Sequence, residues 1–133
     1  MREAAFALLM VSMKDALQIL HASSMRVSFT DDIPEGDVTN LITNMRNAIC
    51  HVGSPLRHLD KNNNTLSLDT AIGAGCLMEI DGVELSNPYA DDVAFFYGKH
   101  RVLLKRHCHR AFSEAYQRTK AKVNAEGWWW PFD

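Results

Sequence analysis

The sequence predicts a mostly helical protein that carries a small antiparallel β insert. Three observations lead there. Apolar residues recur at helical spacing over residues 2–23, 37–51 and 103–126. Between the last two, residues 64–104 alternate as strands do, and Asp81-Gly82 stands where a two-residue hairpin turn belongs. The 133 residues contain no repeat and no low-complexity tract, which fits one domain, 1–133, large enough to bury its own core.

The first helix is marked by Phe6, Leu9, Met10, Met13, Leu17 and Leu20. Leu8 and Val11 widen this stripe, so burial on more than one side is expected. Its methionines read as adaptable core filler. RVSFTDDIPEG, residues 26–36, is a loop by its Pro34 and Gly36, and Thr30 or Asp37 is placed to cap the next helix. That second helix, 37–51, buries Val38, Leu41, Ile42, Met45 and Ile49, while Asn40, Asn44, Asn47 and His51 line another face. Gly53, Ser54 and Pro55 interrupt it, and residues 61–65 form a loop. Three or four strands come after, the last pair turning at Gly98. Leu104, Cys108, Ala111, Ala115, Thr119 and Val123 make the seam of the final helix, which Gly127 caps.

Composition excludes several classes. A net charge of −2 creates no global basic field, so nucleic-acid binding is not announced by the totals. Three cysteines, Cys50, Cys76 and Cys108, without a C-x-x-C pair argue against a disulfide framework and a zinc ribbon. The apolar run AAFALLMVSM follows Glu3 and precedes Lys14 and Asp15, with no A-x-A cleavage site, so it is not read as a signal peptide. As a run it is too short to span a bilayer. A soluble, cytoplasmic protein with reduced thiols and no membrane association is expected.

Charge is nonetheless uneven. Residues 99–122 hold eight lysines and arginines against Glu114 alone, a net +7. Lys105, Arg106 and Arg110 on this final helix are the expected contacts to a phosphate backbone, although a charged face is as often simply solvated. Arg57, beside His58, extends the expected anion site, against the alternative of a surface turn.

The most informative stretch is RNAICH, residues 46–51. On a regular helix Arg46 and His51 stand about 140° apart, with Asn47 about 40° from His51. A long arginine can curl toward the other two, or a two-fold mate can supply its own copies to a shared cleft. Arginine grips phosphate oxygens with its planar fork. Histidine exchanges a proton near neutral pH, and asparagine orients a water, a hydroxyl or the imidazole. Together they suit phosphodiester cleavage without metal or other cofactor where the substrate brings its own nucleophile, as the RNA 2′-hydroxyl does.

Arg46-Asn47-Ala48-Ile49-Cys50-His51 resembles the R-x4-H signature of the HEPN superfamily, the nucleotide-binding helical domains of many prokaryotic toxins and defence proteins. The resemblance covers residues 1–57 and the last helix; the β insert is no part of the minimal helical pattern. It implies a mainly α fold, an antiparallel helical bundle, acting as a homodimer and cleaving RNA without a metal. It implies His51 as the proton-transfer group, Arg46 as the stabiliser of phosphoryl charge, and Asn47 as the group that positions phosphate or histidine. A toxin or defence role, with an antitoxin or regulatory protein as partner, rests on the resemblance alone. Some members only bind nucleic acid or a partner protein, which is the alternative expectation.

Other signals are weaker. Cys50-His51 and His107-Cys108-His109 offer zinc ligands, but His107 and His109 face apart on a helix. Asp91-Asp92 reads as a turn rather than a metal pair. Trp128, Trp129 and Trp130 suit a plug in a groove of this domain or of a partner better than base stacking.

Overall fold

The computed structural model describes residues 2–59, 61–62 and 64–131. Met1, Asp60, Asn63 of the 61–65 loop, and Phe132 and Asp133 of the tail lie outside the described residues. In chain order come α1 (Arg2–Ala22), α2 (Val38–Cys50) and a 3-10 turn (Pro55–Arg57). Then come β1 (Asp69–Ile72), β2 (Gly75–Ile80), β3 (Val83–Asn87), β4 (Val93–Tyr97) and β5 (His100–Leu103). A wide π-helical turn, Leu104–His109, leads into α3 (Arg110–Ala125).

With 46% helix and 20% strand in two antiparallel sheets, this is a mixed α/β fold, not the mainly α, antiparallel helical bundle expected from the sequence. The reason lies in β4 and β5. The larger sheet has the order β1-β4-β5, and β2 and β3 form a separate hairpin. In β4, Phe95 and Tyr97 join the core formed by α1, α2 and α3, while Ala94 and Phe96 join a second core with Leu59, Leu85 and Leu103. The β4–β5 register pairs Ala94 with Leu103 and Phe95 with Val102, so the two strands divide their side chains the same way. The three-stranded sheet is therefore a middle layer, with helices on one face and the β2–β3 hairpin on the other. The strands are part of the core rather than an insert beside it. A strand buried on both faces is a continuous apolar run, as VAFFY is.

Helix α1 buries Phe6, Met10, Met13, Leu17 and Leu20 at the 3.6-residue period. Phe6 stacks on Phe95 with ring centres 4.4 Å apart. Burial is on one side only, since Leu8 and Ile19 are each 68% exposed. By length and composition α1 is apolar enough to cross a membrane, while its buried stripe belongs to this chain's core. Asp37 caps α2 by accepting from the Asn40 N–H at 2.8 Å, and Arg26 clamps the Asp37 carboxylate from outside. Asp81 and Gly82 both take positive φ, 49° and 76°, which suits the two-residue turn joining β2 to β3. Gly127 closes α3 in the left-handed conformation, and the Trp128 N–H donates to the Val123 carbonyl. Trp130 packs against Tyr116, whereas Trp128 and Trp129 are exposed.

Candidate active site

The site grows out of the last turn of α2. Val38, Leu41, Ile42, Met45 and Ala48 anchor that helix in the core, which turns Arg46 and Asn47 to its half-buried flank. The helix ends at Cys50, one residue before the sequence placed its end. Ser54 precedes Pro55 and is extended (φ −71°, ψ 130°), as a pre-proline residue prefers. His51 is already extended (φ −117°, ψ 99°), and its N–H closes the last turn on the Asn47 carbonyl at 3.1 Å.

That break removes the 140° separation expected on a continuous helix. Arg46 Nη1 donates to Asn47 Oδ1 at 3.2 Å and approaches His51 Nε2 at 3.3 Å. All three residues thus meet within one chain. Because the guanidinium can only donate, Nε2 is the accepting nitrogen, and the neutral ring carries its proton on Nδ1. His51 is exposed, so a substrate can reach it. Arg46 Nε is buried with no protein acceptor.

Arg57 stands beside this cluster on the 3-10 turn. Its Nη1 donates to the carbonyl of Val52, the residue after His51, at 3.2 Å. Its Nη2 donates to the Tyr97 hydroxyl at 2.6 Å, and the guanidinium carbon lies 5.2 Å from the Tyr97 ring centre. Arg57 Nε is likewise buried without an acceptor. Two guanidinium groups therefore converge on the carbonyl end of α2, where their charge offsets the negative end of the helix dipole. The sequence singled out Arg57 but not Tyr97, which lies 40 positions away on β4. Nothing in local spacing signals such a contact.

The remaining expected phosphate contacts are engaged elsewhere. Lys105 pairs with Asp91 at 2.8 Å. Arg106 pairs with Asp91 and Asp92 and lies over the Tyr89 ring at 3.6 Å. Arg110 pairs with Asp31 and Glu114 and lies over Phe29. Hydrogen bonds from Lys105 and Arg106 hold the Asp91 carboxyl down at about 2. The local count set Glu114 alone against this helix, whereas the fold delivers Asp31, Asp91 and Asp92 from other segments. These cations are also remote from His51. Asp92 binds the start of the final helix and Gly98 packs on the Arg57 turn, so the two regions flank opposite ends of the five-residue strand β4. That strand spans roughly 17 Å.

Asp91-Asp92 is an anchor for a helix start. The Asp92 carboxylate, fully buried, accepts from the N–H groups of Lys105 (2.8 Å), Arg106 (3.0 Å) and Val93 (2.8 Å). Burial alone raises its pKa, and these donors outweigh it, leaving the group below the usual carboxylate range. His107 is buried, accepting from the Leu103 N–H at Nδ1 and facing the Asp31 carbonyl with Nε2. Burial pushes its pKa down. Cys108 is also buried, its thiol pushed up to about 12. Among the described residues no group of three or more histidine, cysteine or acidic side chains is placed to hold a metal ion. A second buried pair, His100 Nδ1 with Glu35 Oε1 at 2.6 Å, ties β5 to the loop before α2.

Compared with protein-family models, with curated proteins and with solved structures, the chain matches none. Its function is therefore read from its own residues.

Proposed function

We propose that this chain is a metal-independent endoribonuclease of HEPN type, working in the cytoplasm as a homodimer in a toxin or defence system. The observation that carries the reading is the Arg46 guanidinium bridging Asn47 and His51 at the open end of α2. An arriving phosphate competes for that guanidinium. As Arg46 turns to the phosphoryl oxygens, His51 Nε2 is released with its lone pair free. It takes the proton of the RNA 2′-hydroxyl, and the 2′-oxygen forms a bond to phosphorus as the bond to the 5′-oxygen breaks. The proton returns through water to the leaving 5′-oxygen, giving a 2′,3′-cyclic phosphate and a 5′-hydroxyl end. Arg46 and Arg57 stabilise the charge that gathers on the phosphoryl oxygens. Asn47 holds the Arg46 guanidinium through Oδ1 and keeps its amide N–H groups for the substrate.

One observation favours a second reading, a non-catalytic module that binds nucleic acid or a partner protein. Arg46 is already held by the two residues it would act with, and such a contact can serve simply to close the helix end.

RNA cleavage by the purified chain in excess chelator separates the two. The wild type is expected to cut, and His51→Ala and Arg46→Ala to lose about 10²–10⁴-fold in rate while remaining folded. Absence of cleavage by the wild type, or equal cleavage by both variants, supports the binding module instead.

A further inference from the structure

A large cleft lies apart from the triad itself. It has a volume of about 670 Å3 and opens between Pro55, His58, Leu59, Lys61 and Asn62, the β2–β3 turn at Asp81 and the β4–β5 turn at Lys99. Pro55, Leu59 and Val83 give it apolar walls, and His58, Lys61 and Lys99 give it cationic and titratable ones. Among the described residues Asp81 is the one carboxylate on its lining. The charge here is less engaged than that of the four cations from Lys105 to Arg118. Lys105, Arg106, Arg110 and Arg118 each face an acidic side chain, while among the described residues neither Lys61 nor Lys99 makes an ion pair. The cleft side therefore carries positive charge that no ion pair among the described residues engages, as does Lys122 near the end of α3.

The cleft is continuous with the triad along the chain. Pro55, on its wall, shares the 3-10 turn with Arg57, and Arg57 reaches back to Val52. Pro55 lies four positions after His51, a span of at most about 14 Å.

We propose that this cleft is the subsite for single-stranded RNA flanking the cut, with Lys61 and Lys99 on its phosphates and Pro55, Leu59 and Val83 against its bases and sugars. This rests on the endoribonuclease reading and names where that substrate lies. The final helical segment, where Lys105, Arg106, Arg110 and Arg118 are engaged by acids, is then not the RNA track. Apolar surface beside lysines suits a single strand better than a duplex, because unstacked bases offer faces to bury.

The test uses the full chain and 2′-O-methyl single-stranded RNA, which has no free 2′-hydroxyl and cannot be cut. Oligonucleotides of about 4 and about 16 nucleotides span the range that single-strand grooves cover. Wild type is expected to bind the longer one at least tenfold more tightly. In the double variant Lys61→Glu, Lys99→Glu that advantage is expected to vanish. The slope of log affinity against log salt is expected to fall by about 1.4, the value for two lost single-strand phosphate contacts. Unchanged length advantage and unchanged slope in the variant overturn the subsite. If the wild type also cleaves ordinary RNA in chelator, the nuclease reading survives that result. A wild type that neither binds these oligonucleotides nor cleaves RNA overturns both.

Discussion

At Gly98 the backbone takes φ +56°, and an added Cβ would lie 2.5 Å from the Leu56 carbonyl oxygen and 2.9 Å from the Arg57 carbonyl. The Gly98 N–H also donates to the Leu66 carbonyl at 3.0 Å. The turn between β4 and β5 is thus pressed onto the backbone that presents Arg57, while Tyr97 holds the side chain. Gly98→Ala meets two penalties. The left-handed conformation costs an alanine about 1–2 kcal/mol, and the carbonyl contacts force the turn apart. The melting temperature of the variant is expected to drop by several degrees, with weaker RNA cleavage because Arg57 is displaced. A melting curve that overlays the wild type would show that the close approach is not rigid. Gly98 was recognisable in the sequence as a turn residue. Its closeness to Arg57 was not, since a contact across some 40 residues leaves no local pattern.

The loop between α1 and α2 is fastened by contacts to ionisable side chains. His107 meets the Asp31 carbonyl, Arg110 meets the Asp31 carboxylate, and His100 meets Glu35. Burial lowers the His107 pKa from 6.5, so below that pH the unfolded chain takes up a proton that the native chain refuses. Stability falls as pH drops from 6.5 toward the folded value. Asp92 and Glu35 are held below their ordinary values of 3.8 and 4.5, where donor bonds exceed the opposing effect of burial. Their contributions are complete above those values and are lost as pH falls through the lower folded ones. Thermal melts across pH are expected to show two stages of weakening. The upper stage should be missing in His107→Asn, which keeps an acceptor for the Leu103 N–H but does not titrate. A one-stage profile in the wild type would contradict the assignment to His107. Periodicity revealed α1, α2 and α3, Asp81-Gly82 marked the β2–β3 turn and Gly127 the end of α3. The break at His51 was less legible, because Cys50 and His51 continue the helical pattern and the pre-proline restriction acts from further along the chain.

Across the whole molecule, the sheet sits between two cores, and this is where a reading from local pattern went astray. VAFFY and HRVL carry apolar side chains on both faces, so their run gives no hint of how much helix surface they receive. Charge misled for the same reason: +7 on the last segment is answered by acids from other elements. The outer face of α1 and α3 remains apolar. Leu8 and Phe112 are 68% and 66% exposed, and grooves of about 420 and 370 Å3 lie beside Phe112. The proposed homodimer is expected to bury this face, where Leu8, Phe112 and the two grooves leave apolar surface open. Sedimentation is expected to give a dimer for the wild type and a folded monomer for Phe112→Glu; a wild-type monomer at every concentration would remove the dimer from the proposal. The hold of Tyr97 and Gly98 on Arg57 also sets an order of events during translation. Arg46, Asn47, His51 and Arg57 leave the ribosome well before the hairpin that fixes the last of them. A nascent or stalled chain therefore carries the candidate residues with Arg57 unsecured, and the arrangement is completed only once the β4–β5 hairpin has been made.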